Sequence, residues 1–290
     1  MKIIPYEPHI QILEPCFVAG MPNDVYHRMR GVSNSGLNMV ARSLAHYKYR
    51  SQFKQTRAME IGTAFHTALL EPERFKAEYM MLRDINDRRK SEYKEAAKVY
   101  GNENTLTASE SDSVLTMLHA VMDNPDAMAV LDKEGHAELS GFAQDPETGI
   151  WIRARFDWLT TDGHALDVKK TQDARERAFQ KSIHNYRYYC QDAMYSHVYE
   201  LITGKPLEKY EFLAIEEQPP CANVVYELDV LAKKYGWDEY RAALLKYAEA
   251  VEKDQWPAYP ETRGLIGLPE YLLDDMDDEA ETNMIFDGEE

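Results

Sequence analysis

The stretch HAELSGFAQDPETGIWIRARFDWLTTDGHALDVKK, residues 136–170, decides how the chain is read. HAELSGFAQ, IWIRARFDWL and ALDVKK are short runs rich in apolar, aromatic and β-branched residues. Between them lie DPETG and TTDGH, whose Asp, Gly, Pro and Thr favour turns. Three strands joined by two tight turns make a β-meander at mid-chain. Residues two apart in a strand share a face, so Asp167 and Lys169 project together while Leu166 and Val168 go the other way into core. The same parity puts Arg153, Arg155 and Asp157 on one face of the preceding strand and Ile152, Ala154 and Phe156 on the other. If the two strands pair, Asp157 and Asp167 converge. Two carboxylates brought together repel unless a divalent cation takes oxygens from both, and a lysine beside that cation can hold a water or offset charge on a phosphoryl group. Taken alone, D-x-K is a frequent tripeptide, and an Asp–Lys pair on a sheet face is more often a surface ion pair of small worth.

Outward from the meander the pattern is helical. Ser33, Asn34 and Ser35 offer N-cap side chains for a helix through about Tyr49, and a second helix is predicted from about Met59 to Leu70, stopped by Pro72. Residues 72–104 read as a charged loop running into a solvated helix. Ser109 to about Met122 and a shorter piece reaching Leu131 are helical, with Pro125 between them. Beyond the meander, 174–182 and 185–203 read as helices, KYEFLAIEEQPP and ANVVYELDV as strands, and Ala232 to about Lys253 as helix. Helices on both sides of a central group of strands predict an α/β or α+β domain. Residues 1–30 read as an irregular segment, and 274–290 as an acidic, disordered tail in which MIF is the one apolar motif.

Bulk composition narrows the classes. No run of 18 apolar residues exists and the N-terminus is interrupted by Pro and Glu, so no membrane span or signal peptide is expected and a cytoplasmic location is. Cys16, Cys190 and Cys221 are few and scattered, which excludes a disulfide framework and a four-thiolate iron–sulfur cluster. The net charge of −17 speaks against a polyanionic partner, but it is segregated. Residues 274–290 carry nine acids and no Lys or Arg, whereas residues 25–59 carry seven Lys/Arg, Arg42 and Lys48 among them, and no acid. That basic stretch reads either as a DNA contact or as a solvated helix face. Arg153 and Arg155 likewise have two readings, as bidentate phosphate ligands or as ion partners of the neighbouring acids.

Four ordered motifs, GTAFHTALLEPERF (62–75), GHAELSGFAQDPETGIWIRARFDWL (135–159), LDVKKT (166–171) and NYRYYCQDAMYSHVYE (185–200), resemble the RecE type of exonuclease, also called exonuclease VIII, of the PD-(D/E)xK group with RecB-like motifs. The resemblance runs from about Val32 to Leu272. It implies an α/β, restriction-endonuclease-like fold, a mixed central sheet flanked by helices, with residues 31–273 as the nuclease domain. It implies that His66, Asp157 and Asp167 hold Mg²⁺, for which Mn²⁺ can substitute, with the Val168 carbonyl completing the shell. Lys169 would be the active-site lysine, Gln191 and Tyr195 the Q-x-x-x-Y pair on one helix face, with Tyr188 a turn earlier, and Glu138 a glutamate that helps the site through the metal or its waters. Without the resemblance, Tyr188, Gln191 and Tyr195 read equally well as the buried stripe of an amphipathic helix, and His66 as a core histidine. Lys170 departs from the pattern, standing where a threonine often follows the lysine; it should face away from Lys169.

The activity so implied is ATP-independent 5′-to-3′ degradation of one strand at double-stranded DNA ends. The expected partners are a ring tetramer of identical subunits and a RecT-like annealing protein that takes the 3′ single strand. No G-x-x-x-x-G-K-[ST] loop is present to bind a nucleotide fuel. The competing class is a non-catalytic DNA mimic or recombination accessory on a nuclease scaffold, against which the complete Asp157, Asp167 and Lys169 set speaks.

Overall fold

The computed structural model describes residues 2–51, 55–259 and 263–267. Residues up to Trp256 form one compact unit, and a second begins at Pro257. The boundary predicted at 273 and the tail 274–290 lie outside the described residues.

The first 30 residues are not irregular. They supply β1 (Ile3–Pro5), β2 (Cys16–Ala19) and α1 (Asn23–Arg28), and the two strands form one edge of the central sheet. In β2, Phe17 faces one core while Cys16 and Val18 face another, with Met21, Tyr26, Phe142 and Trp151. A four-residue strand buried on both sides carries no alternation, so its sequence did not announce it.

The predicted helix over 33–49 is two helices, α2 (Asn34–Arg42) and α3 (Leu44–Lys48). Buried Ser43 breaks them: its backbone is extended, and its hydroxyl caps α3 by accepting from the His46 N–H at 3.2 Å. Then follow α4 (Arg57–Leu70), α5 (Pro72–Glu78), β3 (Met80–Met81), α6 (Ser91–Tyr100), β4 (Thr105–Leu106), α7 (Ala108–Met122) and α8 (Pro125–Leu131). The region 72–104 holds the expected helix as α6, but the loop expected before it contains α5 and β3, which pairs parallel with β4 just beyond.

The meander forms as expected: β5 (Gly135–Gln144), β6 (Trp151–Thr160) and β7 (His164–Thr171) pair antiparallel in sequence. After it, α9 (Glu176–Tyr186) and α10 (Tyr188–Thr203) cross over to β8 (Lys209–Glu216), which runs parallel to β7. Arg187, with φ +55°, separates the two helices inside the run read as one from 185 to 203. Edge strand β9 (Asn223–Glu227) and the long α11 (Val230–Lys253) complete the unit, and the sheet order is β1-β2-β5-β6-β7-β8-β9. One face of the sheet packs on residues of α2, α9, α10 and α11, the other on α4, α5, α7 and α8. Strand β8 shows the consequence: Tyr210, Phe212 and Ala214 fill the first core, Leu213 and Ile215 the second. Among the described residues, no helix is long and apolar enough to cross a membrane.

The regular pleat fails at one place, and the site lies there. Ile152, Ala154 and Phe156 of β6 face the first core as parity predicts, yet Trp158, two residues on, packs in the second. Opposite this switch on β5, between the pairs Ala137↔Trp158 and Leu139↔Phe156, stands Glu138 with φ +50°. A non-glycine residue held in the left-handed region costs about 1 kcal/mol or more and persists only where its surroundings impose it. The β6–β7 ladder also ends here, at Trp158↔Leu166, so the two strands fork beyond it.

Candidate metal centre and active site

Into the fork opens a cleft of about 640 Å³, walled by α4, by residues of α1 and the start of α2, and by β5, β6, β7 and α10. Asp157, Asp167 and Lys169 all line it, so the convergence read from strand parity occurs. The means differ from a simple cross-strand pair. Asp157, at the pleat switch, accepts a hydrogen bond from the Val168 N–H at 2.8 Å, a donor that the forked ladder leaves unpaired towards β6. Val168 therefore meets the site through its N–H. Leu166 and Val168 fill the second core, and Asp167 and Lys169 project to the other side, as predicted.

His66 enters from α4, one turn beyond Gly62, with its Nδ1 3.7 Å from Asp157 Oδ2. His66, Glu138 and Asp157 offer ligand atoms that all lie within 4.8 Å of one another. Glu138 thus stands with His66 and Asp157, and Asp167 lines the same cleft beside them. Asp167 Oδ1 accepts from Gln191 Nε2 and from the Tyr210 hydroxyl at 3.3 Å, while its buried Oδ2 faces the Lys169 ammonium without an aligned hydrogen bond. Lys169 lies over the ring of Tyr188, 4.8 Å from its centre.

The charges decide what the site suits. Burial, then the neighbouring carboxylates of Asp167 and Glu138, push the Asp157 carboxyl well above the ordinary carboxylate range. Burial pulls the His66 imidazole below its usual value, against the opposing pull of Glu138 and Asp167, so the ring is neutral and a free ligand near pH 7. Burial also works against charge on Lys169, but Asp167 and Asp157 outweigh it and hold its ammonium above the usual lysine value. One imidazole nitrogen and two carboxylates around an acid that resists ionising is a donor set that fits a hard divalent cation.

The other predicted residues divide. Gln191 and Tyr195 both line the cleft, Gln191 bonded to Asp167, Tyr195 buried edge-on against Phe156 at 5.0 Å. Arg155 takes the ion-partner reading: it pairs with Glu138 and donates to the Met21 carbonyl at 2.9 Å. Arg153 donates to the His27 and Met29 carbonyls, and both arginines lie over the Tyr26 ring, so they bolt the N-terminal segment to β6. Arg42 and Lys48 are exposed but do not line the cleft, and Lys48 pairs with Asp254 at 3.5 Å. Lys170 faces away from Lys169, as expected. It crosses Gly62 of α4, donates to the Ala58 carbonyl at 3.1 Å and pairs with Glu217.

Sequence reasoning missed Tyr210 and Glu217, which come from β8 and the turn after it. Neither belongs to a spaced motif. Ser33, Asn34 and Ser35, read as caps, also line the cleft.

Residues 35–266 match the family described as "PDDEXK-like domain of unknown function (DUF3799)", which is most of the chain. The chain belongs to that PDDEXK-like family. Its fold is restriction-endonuclease-like, and its domain is of the nuclease type, a group that generally uses divalent metals. The crystal structure of a Eubacterium rectale protein described as a "Putative exonuclease" is similar to this PDDEXK-like chain, with a TM-score of 0.59 and 11% identity over 88% of this chain and 97% of that one. At that identity the likeness concerns the fold. A second structure, of the protein SSO0001, matches with a TM-score of only 0.30 and 14% identity over 66% of this chain and 86% of that one. No curated protein matches the sequence.

Proposed function

We propose that the chain is a divalent-metal-dependent, ATP-independent exodeoxyribonuclease that degrades the 5′-ended strand of duplex DNA and leaves a 3′ single strand. The observation that carries the reading is the convergence of His66, Glu138, Asp157, Asp167 and Lys169 in one cleft at the fork of β6 and β7. His66, Glu138 and Asp157, with Asp167 beside them, would hold Mg²⁺ or Mn²⁺, which when bound supplies Lewis acidity to a phosphoryl oxygen and makes a water acidic. Lys169, kept protonated by its acids, offsets negative charge at the phosphate. Gln191 fixes the carboxylate of Asp167, and Glu138 is fixed in turn by Arg155.

Duplex ends as substrate, the 5′-to-3′ direction, assembly as a ring tetramer and delivery of the 3′ strand to a RecT-like annealing protein are supported by the RecE-type motifs. The description of the Eubacterium protein agrees with an exonuclease. The complete Asp157, Asp167 and Lys169 set speaks against the non-catalytic alternative.

The test uses linear duplex labelled at either end, with Mg²⁺, and closed circular duplex beside it. The wild-type protein should release mononucleotides from 5′ ends of linear DNA and leave circles whole, and Asp167→Asn should be inactive. Equal behaviour of wild type and Asp167→Asn refutes catalysis at this site.

A further inference from the structure

We propose that Tyr210 is a positioning residue for Asp167: its hydroxyl closes a buried ring of hydrogen bonds that turns one carboxylate oxygen away from the cleft and leaves the other to the chemistry. The inference deepens the nuclease reading and rests on it.

The ring is defined by chemistry as well as distance. A carboxylate only accepts, so the Gln191 side chain must turn its NH₂ towards Asp167, and the amide orientation is fixed. The second N–H of that group is given to the Tyr210 oxygen at 3.0 Å. Having accepted from Gln191, the Tyr210 hydroxyl directs its own proton to Asp167 Oδ1, 3.3 Å away. Asp167 Oδ1 then receives two donors, and Oδ2 is the oxygen that faces Lys169. All three side chains are buried: Asp167 is 3% exposed, Gln191 7% and Tyr210 2%. Water therefore cannot replace a lost donor cheaply.

The three come from separate elements, β7, α10 and β8, so the ring also ties the acid-bearing strand to its crossover helix and to its parallel neighbour. The aromatic ring of Tyr210 is held independently of its hydroxyl, edge-on to Tyr195 at 5.9 Å and to Phe212 at 5.2 Å. Removing the oxygen alone leaves the ring seated. Tyr210→Phe is therefore a clean deletion of one hydrogen bond to the acid.

The experiment compares wild type, Tyr210→Phe, Gln191→Ala and the double variant for cleavage of linear duplex and, without DNA, for Mn²⁺ binding by calorimetry. Tyr210→Phe should stay folded, lose about tenfold in kcat with KM for DNA within about twofold, and bind Mn²⁺ several-fold more weakly. The double variant should lose less than the product of the single losses, since both residues act on one oxygen. A folded Tyr210→Phe protein whose kcat and Mn²⁺ affinity stay within about twofold of wild type overturns the proposal, even if its Tm falls, because a purely structural tyrosine would do only that. If Tyr210→Phe does not fold, a fluorinated tyrosine at 210, which keeps ring and hydroxyl but strengthens the donor, must still shift kcat; no shift overturns the proposal. A wild-type protein that binds Mn²⁺ in a Tyr210-dependent way but cuts no DNA refutes the nuclease reading and keeps the positioning role. Neither binding nor cutting refutes both.

Discussion

Asp157→Asn should make the metal-free protein more stable while abolishing its activity. The carboxyl oxygens of Asp157 and Glu138 offered to the centre lie within 4.8 Å. Were both ionised they would repel by roughly 3–4 kcal/mol at an effective dielectric of about 20, which together with burial is why the Asp157 carboxyl holds its proton in the metal-free fold. Asp167 adds a further repulsion, whereas Arg155 on Glu138 and Lys169 on Asp167 take part of it back. Holding that proton near pH 7, where the unfolded chain has given it up, costs the wild type on the order of 1–2 kcal/mol, a cost that asparagine does not carry. Asparagine keeps an oxygen for the Val168 N–H, so the fork of the strands survives the change. At about 2–4 °C per kcal/mol for a domain of this size, Tm in EDTA should rise by about 2–8 °C. Adding Mg²⁺ should raise the wild-type Tm and leave the variant nearly unmoved. A variant that melts below wild type in EDTA would show that Asp157 is already balanced by its neighbours, and the argument for a cation at this centre would fail.

Three further outcomes follow from other parts of the molecule. Asp192, 4% exposed, has its carboxyl pushed up to about 6 by burial, so the folded state holds a proton that the unfolded chain gives up near pH 4. Stability is then lost as pH rises from about 4 through about 6, and Asp192→Asn should gain on the order of 2–3 kcal/mol in urea melts at pH 8 and nothing at pH 4; an equal gain at both pH values contradicts this. A Cβ on Gly62 would lie 2.7 Å from Lys170 Cε, so Gly62→Ala should dislodge Lys170 from Ala58 and Glu217 and slow cutting, while Lys170→Thr on top of it should restore the rate; a double variant no faster than Gly62→Ala rules that coupling out. Arg241→Ala leaves the Asp145 carboxylate, 1% exposed, without that cation and with the Thr148 N–H and hydroxyl as its remaining donors, and should cost about 3 kcal/mol in denaturant melts, a loss under about 1 kcal/mol being inconsistent with the ion pair.

The meander and the helices around it were legible because each carries a local signal: turn residues at DPETG and TTDGH, period two in the strands, and caps and prolines at helix ends. The breaks at Ser43 and Arg187 were not, since a serine or an arginine inside an apolar period does not announce an extended or left-handed backbone. Strands β1 and β2 escaped for a related reason. Both are short, β2 is buried on both sides and β1 is a half-buried edge strand, so their placement depends on their strand partners, for β2 one far away in the chain.

The sequence by itself determined the types of residue at the centre and put Asp167 and Lys169 on one side of a strand, because alternation is a property of the backbone alone. Which acids face one another is a property of neighbouring strands. Only the tertiary structure showed the pleat reversing at Asp157 and Glu138, which draws Glu138 into the group with His66 and leaves Asp167 to Lys169, Gln191 and Tyr210. Tyr210 lies 43 residues from Asp167 and reaches it through the pairing of β7 with β8, a contact made by long-range hydrogen bonds that no local spacing encodes.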